Sequence, residues 1–464
     1  MLLVLLYESW VRNTNNKMIS KNNIYRPLVN GIKFLEEKGI QINTRTGTKT
    51  VYFVLGLILG DNLGLHGLLG FTESFVATYY CRFCKLSKNE CKNTFVTLPE
   101  LKRTPKNYEE DIKLNNISQT GIKEECVFHK IRSFHCTQNF SVDEMHDIRE
   151  SLAHDDIIAI LRALTFEKSE FYSFPLSELN NHLLMFDYGP IDCSNRPPPI
   201  REEDIKSETK LKMTAAELTT LAKYLGILIK DLVDQSNPYW NLYILLREIL
   251  DFTLAKKVTK TQIIGFKFVV IRHHILYKEL TGKHLKPKFH FITHYSEICQ
   301  ESGPVSHLSS IRAESKHTNL TSSAAVNKCR INICLSLAKK HQLTMNYQII
   351  SDQSLMPNFI LGPISTIKSN DLHLYDMPNE IKNSKIRVTN WIESHNIKYA
   401  PKMVLLLRYE NLMPILVEIQ TILSIDSIVN NVYFMCKNLL VLKYNEQVCG
   451  FEVERSNVIT WITL

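Results

Sequence analysis

Residues 60–84 read GDNLGLHGLLGFTESFVATYYCRFC and combine an aspartate, a glycine-rich turn and two closely spaced cysteines. The preceding residues 49–60, KTVYFVLGLILG, are mainly β-branched and aliphatic. Such a run between turn residues predicts a strand buried on both faces of an α/β sheet. Asp61 would then follow the carboxyl end of a strand, where open α/β sheets bind their ligands. Asp-Asn-Leu-Gly is equally typical of an ordinary loop, so both interpretations stay open.

The cysteine pair at the end of this stretch has the spacing of zinc ligands. Two thiolates separated by two residues can bind one tetrahedral Zn²⁺, but a structural site needs two further ligands. One candidate pair is Cys126 with His129, and the other is His290 with His294. His290 and His294 are four residues apart and would share one face of a helix that Pro287 begins.

Two further motifs contain acidic residues that can serve chemistry. The segment SVDEMHDI places Asp143 three residues before His146, at the start of a predicted helix. The segment SSIRAESKH places Glu314 in the first turn of another helix, behind Ser310. Acidic residues in a first helical turn are usually solvated and favoured by the helix dipole. The alternative is that Glu314 points inward and meets Asp61 at a divalent metal ion.

The periodicity of the chain divides it into helical and β regions. A helix is predicted within 24–40, ending at Gly39, and longer helices follow in the polar and helical region 85–285. One of these begins with a predicted capping box formed by Thr214 and Glu217. Residues 346–399 are predicted to be a polar connector, and 400–464 a small β module.

Composition restricts the class of protein. The 464 residues carry 55 basic and 47 acidic side chains, a net charge of +8 that is compatible with a polyanionic partner. Eleven scattered cysteines do not resemble a secreted disulfide framework. No apolar stretch approaches the roughly 18 residues of a membrane span, and the opening MLLVLLYESW has no basic region typical of a signal peptide. We therefore expect a soluble intracellular protein, nuclear or cytoplasmic, with no membrane partner.

Taken together and in order, these motifs resemble the catalytic region of CACTA-type (En/Spm-like) DNA transposases, in particular their invertebrate transposon-derived relatives. The resemblance covers about residues 25–345. It is carried by GDNLGLHGLLGF, YYCRFC, SVDEMHDI, KPKFHFITHYSEICQESGP and IRAESKH.

The resemblance implies an RNase H-like core with three acidic catalytic residues. Asp61 would be the second acid and Glu314 the third, with a long helical insertion between them. The core would comprise 1–84 and 286–345, and the insertion 85–285. The ligands of a shared zinc site would be Cys81, Cys84, His290 and His294, while Asp143 and His146 match the family's Asp-x-x-His motif. The chemistry would be Mg²⁺-dependent DNA cleavage and strand transfer.

One departure from the family pattern concerns the first catalytic acid. That residue lies on the opening strand of the family's sheet, but residues 1–60 contain no aspartate. We therefore expect a polypeptide that starts after the first strands and is inactive as a transposase, though it can oligomerise or retain weak DNA affinity. The alternative is a host-adopted, non-catalytic DNA- or protein-binding protein stabilised by zinc.

Overall fold

A computed structural model describes residues 21–207, 211–328, 331–351, 359–367, 386–394, 397–411, 413–425 and 432–464. The opening apolar run at 1–10 and part of the predicted connector lie outside these residues. Within them the protein is mixed α/β, with helices before residue 351 and most strands after residue 358. None of the helices in the described ranges is both long and apolar enough to cross a lipid bilayer.

Sixteen α-helices occur in the described residues. They are α1 (Lys21–Glu37), α2 (Asn62–Leu69), α3 (Lys88–Cys91), α4 (Pro105–Leu114), α5 (Ile117–Thr120), α6 (Ala153–Thr165), α7 (Leu176–Met185), α8 (Gly189–Asp192), α9 (Glu202–Lys206), α10 (Ala215–Ile229), α11 (Pro238–Leu254), α12 (Lys260–Thr281), α13 (Pro287–Ile292), α14 (Tyr295–Ser302), α15 (Ile311–Val326) and α16 (Ile333–Ile350). Short 3₁₀ helices occupy Pro99–Leu101, Val127–Lys130, Cys193–Asn195 and Val305–His307. A π-helical segment, Met145–Leu152, leads directly into α6.

Local signals predicted several helix boundaries correctly. Helix α1 ends just before Gly39, which has φ +66° and lies so close to the Val51 carbonyl that a Cβ would be 2.6 Å from its oxygen. The capping box before α10 is present: Glu217 N–H donates to Thr214 Oγ1 (3.2 Å) and Thr214 N–H donates to the Glu217 carboxylate (2.7 Å). Pro287 begins α13 as predicted, and Gly282 caps the end of α12. These boundaries follow from backbone conformation and capping, which depend on neighbours in sequence.

The buried strand predicted before Asp61 is wrong. Strands β1 (Ile40–Thr44) and β2 (Gly47–Val51) form an exposed antiparallel hairpin, and residues 52–60 have no regular secondary structure. No strand pairs with this segment in the described chain. Instead, Leu55 N–H donates to Ser133 Oγ (3.0 Å) and Gly56 C=O accepts from Asn139 Nδ2 (2.8 Å). Side chains thus satisfy backbone groups that a sheet would otherwise pair.

The remaining strands form two antiparallel sheets. Their members are β3 (Phe359–Leu361), β4 (Ile364–Ile367), β5 (Ile386–Thr389), β6 (Ile392–Ser394), β7 (Ile397–Tyr399), β8 (Val404–Glu410), β9 (Met413–Ile425), β10 (Val432–Asn445) and β11 (Gly450–Thr463). The larger sheet has the order β11-β10-β9-β5-β4, with β8 also paired to β9, and the smaller has the order β3-β6-β7. The C-terminal β region therefore begins earlier than residue 400, because β3 to β7 occupy part of the expected connector.

The chain forms two compact units. Unit one comprises the described residues within 21–176, 200–222 and 233–338, and unit two comprises the described residues within 177–199, 223–232 and 339–464. The expected boundaries at residues 84 and 285 both fall inside unit one. Its helical core includes packing of α11 against α6 and α12, where the Phe252 and Phe266 rings stack with centroids 4.0 Å apart. All predicted metal-ligand and acidic positions belong to unit one.

Candidate metal centre

The Cys81–Cys84 turn is held by backbone contacts to the segment that follows α3. Phe83 C=O accepts from Arg103 N–H (2.9 Å), and Lys85 N–H donates to Leu101 C=O (2.7 Å). Inside the turn, Phe83 N–H points at Cys81 Sγ (3.3 Å). These contacts direct both thiols to the same side of the turn, where they meet the second half of the site.

The second half lies where α13 passes into α14. His290 belongs to α13, whereas His294 immediately precedes α14, so the two are not on one continuous helix as the sequence suggests. His294 N–H donates to Phe291 C=O (3.1 Å), a tight turn that separates the two helices. The rings still lie side by side, with their Nε2 atoms 3.3 Å apart.

The four predicted ligands converge on one point. Cys81 Sγ lies 3.6 Å from His294 Nε2, and Cys84 Sγ lies 3.3 Å from His290 Nε2. All four donor atoms are within 4.8 Å of one another. Bond lengths of a tetrahedral site with two sulfur and two nitrogen ligands give donor separations of about 3.3–3.8 Å. This cluster can therefore hold a metal ion.

Burial governs the protonation of these donors. Each of the four residues is at most 3% exposed. Burial raises the pKa of the Cys84 thiol to about 12, and burial also lowers the pKa of His294. A buried thiolate needs a compensating positive charge, and a metal ion bound by thiolate and neutral imidazole supplies it. His290 Nδ1 is buried with no hydrogen-bond partner among the described residues.

The alternative ligand pair lies in a different place. Cys126 and His129 are not part of the Cys81 cluster; His129 instead groups with His135 and Cys136. Burial and the neighbouring His135 lower the pKa of His129 to about 4. The distant histidine pair, rather than the nearer Cys126-x-x-His129 segment, completes the first cluster.

A buried polar network surrounds Arg82, which lies between the two cysteines and is 1% exposed. Its Nη1 donates to Asn62 Oδ1 (2.7 Å) and its Nη2 to Ser141 C=O (2.8 Å). Asn62 Nδ2 donates to Asp147 Oδ1 (2.6 Å), and Tyr295 Oη donates to Asp147 Oδ2 (2.9 Å). Burial raises the pKa of Asp147 to about 7, although Arg82 opposes the rise. This network joins the residue after Asp61 to both halves of the metal centre.

Asp143 is fully buried rather than solvated as first-turn acids usually are. Its carboxylate accepts from Ser310 N–H (3.1 Å) and Ser310 Oγ (2.9 Å), and it also contacts His146 Nδ1. Burial favours a higher pKa for Asp143, but the bonds from His146 and Ser310 hold it below its usual value. The bond to Asp143 raises the pKa of His146. Asp143 therefore anchors the residue from which α15 begins.

The predicted acids Asp61 and Glu314 lie at helix starts. Asp61 precedes α2, and its Oδ1 accepts from Gly64 N–H (2.9 Å), which is an N-cap contact. Glu314 occupies the first turn of α15, as predicted, but its side chain is exposed rather than inward. Neither residue belongs to a cluster of three or more metal-ligand side chains among the described residues.

A second buried chain of hydrogen bonds runs close behind His290. Phe289 C=O lies 2.9 Å from His274 Nε2, so that nitrogen donates and His274 Nδ1 is left to accept from His273 Nδ1 (3.0 Å). Burial lowers the pKa of His274 to about 3, which keeps it neutral. His273 Nε2 in turn lies 2.6 Å from Asp156 Oδ2.

The sequence identified the four donor residues but not the hydrogen-bonded residues beside them. Asn62, Arg82, Asp147 and Tyr295 each directly follow a residue that was singled out, yet nothing in local spacing marks them as partners. Their one shared signal is that each is a polar residue directly beside a motif residue.

No protein-family model matches the chain, and no curated protein is significantly similar to it.

Proposed function

We propose that this protein is a transposase-like protein derived from a DNA transposon, that it binds DNA, and that it does not cleave DNA as this polypeptide. The supporting observation is the network of Asn62, Arg82, Asp147 and Tyr295. These residues come from four separate motifs that carry the resemblance. Asp143 also accepts hydrogen bonds from Ser310, which immediately precedes the fifth motif, IRAESKH. Chance sequence matches have no reason to meet in one bonded network.

Zinc is the metal we assign to Cys81, Cys84, His290 and His294. Thiolate and imidazole donors in a closed tetrahedral arrangement suit Zn²⁺, and a site without an open position is typical of structural zinc. The full burial of all four residues agrees with a structural role. In this proposal zinc fastens the Cys81 turn to α13 and α14.

The resemblance to the transposase family assigns the acids a role in Mg²⁺ chemistry, in a parent transposase that has all three of them. Asp61 and Glu314 would provide hard oxygen ligands, and a third carboxylate would bridge the ions. The sequence has no aspartate ahead of Asp61. We therefore expect these 464 residues not to transfer DNA strands.

A basic cleft in unit one supports DNA binding. Its walls include Arg162, Lys168 and Lys283, together with the Tyr239 ring, while Asp155 acts electrostatically on Lys283 and Glu170 on Tyr239. Cationic side chains gathered at one cleft favour contact with phosphates. The net charge of +8 points the same way.

The test of DNA binding measures affinity for duplex DNA by fluorescence anisotropy over a series of salt concentrations. The triple variant Arg162→Ala, Lys168→Ala, Lys283→Ala should bind more weakly, and its salt slope should fall by about 3. A matched control, Lys398→Ala, Lys402→Ala, Lys443→Ala, removes the same charge from unit two and should leave binding unchanged. A wild-type chain that binds no DNA would contradict the proposal.

The test of inactivity incubates the chain with supercoiled plasmid and Mg²⁺ or Mn²⁺. We expect no nicking by the wild-type chain. Cleavage that Asp61→Ala abolishes would overturn the inactivity and support the acid assignment. Cleavage that survives both Asp61→Ala and Glu314→Ala would contradict both.

A protein-binding role is the second candidate, favoured by the apolar surface of β10. Leu440 and Leu442 of β10 are 58% and 50% exposed. Clustered exposed apolar side chains commonly mark interaction surfaces. If the chain binds no DNA but sediments as an oligomer that Leu440→Lys with Leu442→Lys dissociates, this candidate is preferred.

A further inference from the structure

The segment CVFHKIRSFHC, residues 126–136, gathers a second set of sulfur and nitrogen donors in unit one. Donor atoms of His129, His135 and Cys136 all lie within 4.8 Å of one another. None of these residues contributes to the Cys81 cluster. The group therefore needs an explanation of its own.

Cys126 lies outside that three-donor group, and it can supply a fourth donor if its thiol moves toward the imidazoles. Its thiol is a hydrogen-bond partner of the Cys136 thiol, and both cysteines are buried, at 2% and 1% exposure. The Tyr108 ring packs edge-on against both imidazoles, with centroids 5.0 and 5.4 Å away. Three donors are thus mutually close, and the Cys126 thiol contacts one of them, the Cys136 thiol.

We propose that Cys126, His129, His135 and Cys136 form a second zinc-binding site, separate from the first. Two sulfur and two nitrogen donors constitute a set that Zn²⁺ prefers over hard cations such as Mg²⁺. The histidines are half-buried, which provides an entry path from solvent, while the cysteines close the inner side. This proposal does not depend on the DNA-related function.

The two sites differ in how far they are pre-formed. The His129 and His135 rings are stacked, with centroids 4.0 Å apart and planes at 13°. Parallel rings cannot both aim an in-plane lone pair at one ion, so binding requires one ring to turn. At present His129 Nε2 accepts from Cys136 N–H (3.2 Å), and His135 Nδ1 contacts Thr137 Oγ1 (2.8 Å). Zinc would exchange these hydrogen bonds for metal bonds, and we expect the second site to bind more weakly than the first.

A disulfide between Cys126 and Cys136 is the competing use of these thiols. It would need neither histidine, whereas the convergence of two imidazoles on Cys136 is what a metal requires. Metal content and thiol state separate the two uses directly.

The experiment counts zinc in the purified full chain by mass spectrometry of the element. We expect about two zinc ions per chain in the wild type and about one in Cys136→Ser. Cys193→Ser is the matched control, because Cys193 is exposed and outside both clusters, and it should retain two. A wild-type chain with one zinc that Cys136→Ser retains would overturn the proposal, as would a Cys126–Cys136 disulfide found by peptide mapping under non-reducing conditions.

A second, spectroscopic experiment tests the site if Cys136→Ser does not fold. Co²⁺ is titrated into chelator-treated wild-type chain and into His135→Ala, which keeps both thiols. We expect two binding phases with thiolate-to-cobalt absorption in the wild type, and loss or at least tenfold weakening of the weaker phase in His135→Ala. A single phase that His135→Ala leaves unchanged would reject the second site.

Discussion

Asn62 Nδ2 lies 2.6 Å from Asp147 Oδ1, and this bond joins the first residue of α2 to the π-helical segment 85 positions later. Asn62 also accepts from Arg82, so one amide satisfies a buried cation and a buried acid together. The position of Asp61 is therefore set by Asn62 rather than by a strand.

Replacing Asn62 with alanine should destabilise the protein by about 1–3 kcal/mol for each buried group left without a partner. Urea unfolding followed by circular dichroism measures the loss. Asn43→Ala, in the exposed β1–β2 hairpin, changes the same side chain and should alter stability by less than about 0.5 kcal/mol. Equal effects of the two variants would refute the bridging role.

Removal of Cys84 should release zinc. In Cys84→Ser we expect the chain to lose one zinc ion and the affinity of that site to fall more than about 100-fold, because a direct ligand matters more than its supporting contacts. The thermal midpoint should fall with it. Zinc content that matches the Cys193→Ser control would show that these four residues bind no metal.

Asp143 should control the start of α15. In Asp143→Ala, Ser310 N–H and Oγ lose their acceptor, and the first turn of α15 should lose about 0.5–2 kcal/mol of protection, as for a lost N-cap. Hydrogen exchange of the peptide that covers 310–316 measures this. Thr318→Ala, later in the same helix, is the control, and unchanged exchange in Asp143→Ala would reject the anchor.

The pair of His146 and Asp143 should make stability depend on pH. The bond to Asp143 raises the pKa of His146, so this histidine stabilises the folded state fully below its unfolded pKa of about 6.5. That stabilisation disappears as pH rises through the folded pKa of His146. The pKa of Asp143 is lowered, so this carboxylate stabilises the folded state above its unfolded pKa of about 3.8. That stabilisation disappears as pH falls through the folded pKa of Asp143.

Thermal midpoints measured at about pH 6 and about pH 8.5 test the contribution of His146 to this pH dependence. Wild-type chain should lose more stability on going to the higher pH than His146→Gln does. His284→Gln alters an exposed histidine and should follow the wild-type profile. A His146→Gln profile parallel to wild type would remove the pair as the cause.

His273→Ala should be strongly destabilising, by about 3–5 kcal/mol, because it leaves Asp156 buried without its partner. Asp156→Asn should cost less, since its amide can donate to His273 Nε2 and leave Nδ1–H to donate to His274. Chemical unfolding of both variants gives the comparison. A larger loss in Asp156→Asn than in His273→Ala would contradict this arrangement of protons.

Prediction from sequence succeeded where structure is decided locally. The capping box at Thr214, the glycine after α1 and the proline that begins α13 each act within a few residues. The strand before Asp61 failed for a non-local reason: an apolar run becomes a strand only when another strand pairs with it, and here Ser133 and Asn139 bind its backbone instead. The RNase H-like core expected from the resemblance remains a prediction.

The metal centre shows the same division. Spacing alone identified Cys81, Cys84, His290 and His294, because ligand pairs are local, and tertiary structure then chose between the two candidate second pairs. Burial of Asp143 and Asp147 was not predictable, since acidic residues near a helix start are normally solvated. Their burial depends on Arg82, Asn62 and Ser310, which reach them from distant segments.

The separation of the two ligand pairs also has a consequence during synthesis. Cys84 and His290 are 206 positions apart. At ribosomal elongation rates of about 5–20 residues per second, the cysteine turn emerges roughly 10–40 s before its histidines. For that interval the nascent chain carries two thiols without their partners, and any metal binding by all four residues must wait until most of unit one has left the ribosome.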